Sequence, residues 1–548
     1  MEVAKMTSTK WVLDYPGISA AAVFASVVLG LLLLRTLSAT STTPSPPEPP
    51  LLKPPHPVFG HLPGLWRHGM LYMDVLARQY HEQFPDGIFT VSILGKHIYI
   101  ITSPALLAHT QNKTRIVDGW SVLSTVTASF TGRGKQFYNR LVKNSQSRKV
   151  ANYHSENHKL IYGTLNPGKE LDGMRIAFVD TYVSYIPPLE AIVDKSGSHT
   201  FDFYEWLQES FINASARVAW GNDNPFSRDP TLWKAFTEFD NNTTFLMTRP
   251  LPRILAREGY VARERVIRQI AQFLAEKDEA KIEGLEPLMR HTCSLGSKWG
   301  FTADEIAANG LGMVFGLAGN TAPAAADTLI AIIRDPSLLS SIRDELAPLV
   351  HRSADGTTAT FNAADIRAHS PLLVSAAYET MRFVSSGSTA RTIVDDPDDA
   401  SSPGRYQVLT SPDKSTSWSL KKGEMMFMAG GLIHTSSAHY TDPTKFDATR
   451  YLQHPIPETQ IPGLFRSFGG GGNICGGRYL AIAEILAVVS SIILRFDIEK
   501  DGPGGWELPD KRDCPPHAAI TPPTGVKMPM IIRRRQGWEG VKWVDSHI

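Results

Sequence analysis

Ser467 to Ala481 reads SFGGGGNICGGRYLA, and this stretch decides the fold. Six of the nine residues from 469 to 477 are glycine, and one cysteine, Cys475, stands among them. The chain continues as RYLAIAEILAVVSSIILRF, an apolar run long enough for a buried helix. Cys475 therefore stands just before a helix N-terminus, where backbone N–H groups and the helix dipole favour a thiolate. The glycines let the backbone approach a large ligand closely. A lone thiolate on such a loop suits the axial position of a haem iron, which takes one soft anionic donor with open space beside it. A nucleophilic or an inert buried cysteine fits the same residues, although no base accompanies it in the sequence. A phosphate loop would need Gly-Lys-Ser/Thr, which is absent.

Composition narrows the chemistry further. The only other cysteines are Cys293 and Cys514, which excludes a disulfide framework and a Cys-rich zinc or iron–sulfur site. Lys and Arg number 55 against 54 Asp and Glu, so nothing supports a nucleic-acid partner. With 42% hydrophobic and 20% charged residues in 548, most of the chain has the composition of a folded protein.

Upstream, Phe301 to Arg334 carries the clearest helical pattern. Thr302 and Glu305 form a T-x-x-E capping box, and Asp335-Pro336 ends the run. The expectation is one apolar helix of about 32 residues through the middle of a domain. Within it lies GLAGNTAPAAADT, Gly316 to Thr328. Pro323 cannot donate to the Gly319 carbonyl, so the helix should open or kink at Gly319 and Asn320. The neighbouring Gly and Ala residues leave room for a bulky or flat ligand, or for close packing of a second helix. GIFTV (87–91) and IYII (98–101) read as short strands.

The N-terminus reads as a membrane address. Gly17 to Leu34 is uncharged and proline-free, and as a helix its 18 residues would reach about 27 Å. A cleaved signal peptide would have a shorter apolar stretch and a small-residue cleavage site. Eight prolines between Pro44 and Pro57 then suit a semi-rigid spacer better than an SH3-type ligand. The chain divides accordingly into a tail (1–16), a transmembrane anchor (17–34), a proline-rich hinge (35–63) and a catalytic domain (64–548).

Phe468, Gly471, Cys475 and Gly477 resemble the F-x-x-G-x-x-x-C-x-G haem loop of the cytochromes P-450. Glu379 and Arg382 resemble the family's E-x-x-R pair, and Asp442 to Tyr451 resembles the segment whose arginine, here Arg450, joins that pair. GLAGNTAPAA, SSGSTARTI and NICGGRYLAIAEI are similar to the sterol 7α-hydroxylase and prostacyclin synthase branch and its fungal biosynthetic relatives. The resemblance implies a mainly α fold with small β-sheets, one large helical domain around haem b, and an N-terminal transmembrane helix. It implies Cys475 as the iron ligand, Arg391 as a propionate partner, and Glu379, Arg382, Arg450 and Pro323 as structural residues. Gly319 and Asn320 stand where most relatives have an acid–threonine pair that relays protons, which makes them the catalytic candidates. Asn473 stands where a basic residue is usual, and no W-x-x-x-R motif is recognisable in the front helix; His158 reads as a surface histidine, with a stand-in for that motif's arginine as the alternative. Arg249, Arg253, Arg257, Arg263, Arg265 and Arg268 read as a solvated helix face.

The function implied is monooxygenation of an apolar sterol-, terpenoid- or lipid-like substrate, in secondary-metabolite biosynthesis, with electrons from NADPH through a P-450 reductase. The implied location is the endoplasmic reticulum membrane, single-pass, with the catalytic domain cytosolic. A haem isomerase or lyase acting on a peroxide without reductase is the alternative, followed by a non-catalytic haem- or sterol-binding protein.

Overall fold

The computed structural model describes residues 46–546 except 70, 114–115, 144, 146–149, 249–250, 278, 396–404, 453–463, 504–505, 511–518 and 521–527. The expected anchor at 17–34 lies outside the described residues, as do Arg249 and Cys514.

The described chain is mainly helical with small sheets. The front hairpin joins β1 (Ile88–Ile93) to β2 (Lys96–Ile101). Both strands are longer than GIFTV and IYII suggested, because the chain reverses at Leu94-Gly95, with φ of 50° and 77°. A leucine at positive φ is no turn signal, so the hairpin is invisible in the sequence. The sheet continues through β3 (Val117–Asp118), β4 (Thr389–Ile393) and β5 (Met425–Met428), in spatial order β1-β2-β5-β4-β3. Met426 stands opposite Arg391, which fixes that arginine near the end of the sheet by β3.

The middle of the chain supplies the helices that matter for the site. These are α1 (Trp120–Thr131), α2 (Tyr153–Leu165), α3 (Arg257–Ala275), α4 (Ala303–Ala318), α5 (Thr321–Ile333), α6 (Pro371–Val384) and α7 (Arg478–Arg495). The capping box at the start of α4 is present in both directions. Glu305 N–H donates to Thr302 Oγ1, and Thr302 N–H donates to Glu305 Oε2. The long helix expected from the sequence is two helices, α4 and α5, separated at Gly319-Asn320. Gly319 N–H still reaches Phe315 O at 2.9 Å, and Ala324 N–H reaches Asn320 O at 3.2 Å. Pro323 has no N–H to give Gly319, and the ladder breaks there.

Every residue of α5 is buried. It packs against α6 and α7, while α4 packs against α3, and one apolar cluster joins Leu311, Leu329, Tyr378 and Val489. Among the described residues, one helical stretch, Lys169–Ser196, is long and apolar enough to cross a membrane by length and composition. Leu171, Met174, Phe178 and Tyr182 on that stretch belong to the core cluster.

The basic stretch is not a uniformly solvated face. Arg263 on α3 is buried, its Nη1 donates to Phe130 O, and its Nη2 pairs with Glu264 at 2.9 Å. Periodicity of charge could not show this, because the partner is a carbonyl from the distant α1.

Candidate functional site

The glycine loop is shaped by two requirements that the sequence announces only as glycine. Gly469 and Gly471 have φ of 72° and 65°. A Cβ on Gly471 would also lie 2.8 Å from the Gln111 side chain, so no other residue fits. Cys475 N–H donates to Phe468 O at 2.8 Å and closes the loop. Gly477 is the N-cap of α7, and a Cβ there would lie 3.8 Å from Cys475 Sγ, an ordinary contact.

Cys475 is exposed by area yet closely surrounded by protein, and burial pushes its thiol above the ordinary value. The N–H groups of Gly477 and Arg478, and the Arg478 charge, pull in the opposite direction but do not win. The helix N-terminus alone thus does not make the thiolate expected from the sequence; a cation at Sγ would. Cys293 is buried, and its thiol is pushed up to about 11, which leaves it inert at neutral pH.

Behind the loop, Glu379 and Arg382 on α6 are both fully buried. Arg382 donates to the two Glu379 oxygens at 2.7 and 2.8 Å, and Arg450 Nε donates to Glu379 Oε2 at 2.9 Å. The two arginines reach onward to the carbonyls of His434, Pro443, Thr441 and Lys445. One carboxylate therefore organises the segment from His434 to Arg450, which leads into the loop. Burial disfavours the Arg382 charge, but Glu379 outweighs it and holds the guanidinium above its ordinary value.

Arg391 is buried and donates from Nη1 to its neighbour Ala390 O. Beside it lies Arg466, which the sequence reading passed over. Arg466 is 2% exposed, and its Nη1 donates to Gln111 Oε1 at 3.0 Å. Its Nε and Nη2 have no partner among the described residues, nor has Gln111 Nε2. Burial first, and the Arg391 charge second, push the Arg466 guanidinium down to about 10. Two buried cations side by side, one of them with unpaired donors, call for an anion. The carboxylates of a haem fit this place. Asn473 stands close by: a Cβ on Gly119 would meet Asn473 Oδ1 at 2.9 Å and Arg391 Nε at 3.2 Å. The only sequence signal for Arg466 was its position two residues before Phe468.

The front helix α2 also bears on the loop. His158 is not a free surface histidine: its Nε2 lies 3.1 Å from Gly472 O, and its ring stacks on Tyr162 at 3.9 Å. His154, four residues earlier, is buried, meets Ser124 Oγ at 2.6 Å and stacks on Trp120 at 5.1 Å. Burial pushes His154 down to about 4, so it is neutral at pH 7. The pair His154-x-x-x-His158 occupies one face of α2.

The glycine face of α4 leaves space. Gly316 is exposed within a mostly buried helix, and a Cβ there would meet nothing within 4 Å. Phe130 lies 3.5 Å from where a Cβ on Gly312 would be, and Phe130, Phe239 and Phe315 pack together with ring centroids 5.5 to 6.2 Å apart. Asn320, at the helix break, is half-buried, and its Oδ1 accepts from Ala519 N–H at 2.7 Å and Ile520 N–H at 3.2 Å.

The pattern of one known family, described as Cytochrome P450, matches residues 49–528. A cytochrome P450 monooxygenase, nodJ, of Hypoxylon pulicicidum is 27% identical over 515 residues, 91% of this chain and 92% of the relative. A 25-hydroxycholesterol 7-alpha-hydroxylase of Rattus norvegicus is 23% identical over 350 residues, 61% of this chain and 79% of the relative. The solved structure of a retinoic acid bound cyanobacterial CYP120A1 superposes with a TM-score of 0.63 at 16% identity, over 90% of this chain and all of that one.

Proposed function

The chain belongs to the cytochrome P450 family, and on that premise we propose that it is a membrane-anchored monooxygenase of the endoplasmic reticulum, acting on an apolar sterol-, terpenoid- or lipid-like substrate in secondary metabolism. The observation that carries the reading is the pair of buried arginines, Arg391 and the incompletely paired Arg466, within reach of the loop that bears Cys475. The sterol-like class is supported by the name of the 7-alpha-hydroxylase relative. Lipid contact is supported by exposed Trp66, Leu251 and Ile254.

Haem held through Cys475 would supply reductive activation of dioxygen, with two electrons and two protons consumed, one oxygen atom passed to the substrate and the other released as water. Cys475 Sγ would hold the haem iron, and the bond from Cys475 N–H to Phe468 O holds the loop in shape. Arg391 and Arg466 would bind the haem carboxylates, with Asn473 beside them. Glu379, Arg382 and Arg450 fix the approach to the loop. Gly312 and Gly316 leave room for an apolar substrate, and Phe130, packed with Phe239 and Phe315, gives that room an apolar wall. Gly319 and Asn320 open the helix there, and Asn320 Nδ2 remains able to donate to a water or to the substrate. The electrons come from NADPH through a reductase, and the catalytic domain faces the cytosol, tethered by residues 17–34.

The test is product analysis with a panel of sterols and terpenoids under isotopically labelled dioxygen. Labelled product should form only with NADPH and reductase. Turnover of a peroxide substrate without either would replace this reading with the isomerase.

A further inference from the structure

We propose that Asn320 is a positioning residue: its side-chain oxygen latches the backbone of residues 519–520 to the break between α4 and α5, and so sets one wall of the cavity beside that break. This goes beyond the monooxygenase reading and rests on it only for what the cavity holds.

Both N–H groups of Ala519 and Ile520 donate to Oδ1, at 2.7 and 3.2 Å. An amide oxygen has two lone pairs, and both are engaged. The two donors also settle which terminal atom is oxygen and which is nitrogen. Residues 519–520 are held on their other side as well. Ser386 N–H donates to Ala519 O at 3.0 Å, and Ser385 and Ile520 form an antiparallel bridge. Ser385 Oγ in turn meets Ser467 Oγ at 2.9 Å, one residue before Phe468. A continuous run of hydrogen bonds thus joins the helix break to the start of the cysteine loop.

The geometry matters for the cavity because Gly316, one turn before Asn320 on the same helix face, looks onto open space. The strap at 519–520 lies between the break and the Ser385–Ser386 segment that leads to Arg391. An oxygen committed to two backbone donors cannot also accept from a water that passes protons. What Asn320 has left is Nδ2, a donor in fixed orientation, so its partner in the cavity is an acceptor oxygen.

The test uses the haem-loaded full chain as wild type, Asn320→Leu, Asn320→Asp and Ala519→Pro. Hydrogen exchange is read at the Ala519 and Ile520 amides. Absorbance titrations use the small ligand imidazole and the bulky azole clotrimazole. In Asn320→Leu both amides should exchange about tenfold faster or more, as expected for the loss of two net hydrogen bonds. Clotrimazole affinity should change by about threefold or more, with imidazole affinity unchanged. Asn320→Asp should keep both values near wild type, because its carboxylate accepts the same two N–H groups. Ala519→Pro removes one donor while Asn320 stays intact, and should reproduce part of the clotrimazole effect. Unchanged exchange in Asn320→Leu, or equal losses in Asn320→Asp, would overturn the latch. Wild-type chain that takes up no haem would overturn the proposed function instead.

Discussion

Replacing Glu379 by alanine tests the scaffold behind the cysteine loop. Glu379 is fully buried and accepts four hydrogen bonds: two from Arg382, one from Arg450 Nε and one from Asp447 N–H at 3.0 Å. Its loss leaves the fully buried Arg382 and the 9%-exposed Arg450 without their shared anion. Breaking such a pair from one side costs about 3–5 kcal/mol. Whole domains are stable by only about 5–15 kcal/mol, so this is a large fraction. The assay is the urea midpoint of the haem protein, together with its haem-to-protein ratio. The midpoint should fall by on the order of 1 M, given a slope of a few kcal/mol per molar, and haem content should fall with it. The control is Asp172→Ala, which removes the exposed Asp172–Arg175 pair and should move the midpoint by no more than the ~0–1 kcal/mol of a surface bridge. Glu379→Leu combined with Arg382→Met should cost less than the sum of the single changes, because no lone charge remains. A wild-type midpoint and haem ratio in Glu379→Ala would refute the reasoning.

Four further outcomes follow from the same geometry. Cys475→Ser should lose the thiolate signature of the reduced carbon-monoxide spectrum, while Cys293→Ser, whose thiol is buried and inert, should keep it. Arg466→Met should weaken haem retention by roughly 10- to 100-fold, about the 1.5–3 kcal/mol of a charge-assisted bond, yet raise the melting temperature of the haem-free chain by removing a buried repulsion with Arg391. Asp327, buried with both oxygens unpartnered among the described residues, has its carboxyl held well above the usual range by burial. The folded chain therefore binds the extra proton, and stability falls as pH rises above about 4; Asp327→Asn should be more stable than wild type at pH 8, with the gap closing near pH 4. His154 has the opposite sign: its folded value near 4 lies below the unfolded value, so stability is lost as pH falls from about 6.5, and His154→Phe should flatten the melting temperature over that window.

The sequence was most legible where chemistry demands a particular side chain. Cys475, Glu379, Arg382 and Arg450 sit in motifs whose spacing reflects fixed local geometry: an i,i+3 pair on one helix, and a loop closed by its own backbone. The capping box and the break at Gly319 were legible for the same reason, since both are local backbone events. What was hidden depends on contacts between distant segments. Arg263 reads as one charge among many until Phe130 O covers it from 133 residues away. Asn320 reads as a residue facing a ligand until Ala519 and Ile520, about 200 positions later, take its oxygen.

Arg466 carries that argument one step further. Position 473, where a basic residue is usual, holds asparagine, and read along the chain this looks like a lost contact to a carboxylate. Positive charge near a carboxylate is a property of place rather than of sequence position. Gly470 stands between the two residues, and a Cβ there would lie 2.3 Å from Arg466 Nη1, so the loop folds closely over the arginine. Asn473 and Arg391 meet at Gly119, and Arg466 feels the Arg391 charge strongly enough to shift. Arg466, seven residues before Asn473, thus places a cation beside Arg391 without one at 473. A third guanidinium at 473 would add repulsion to a place where the Arg391 charge already depresses Arg466, so the asparagine complements Arg466 there. Motif matching by position scores Asn473 as a defect, whereas the summed charge around Arg391 accounts for it.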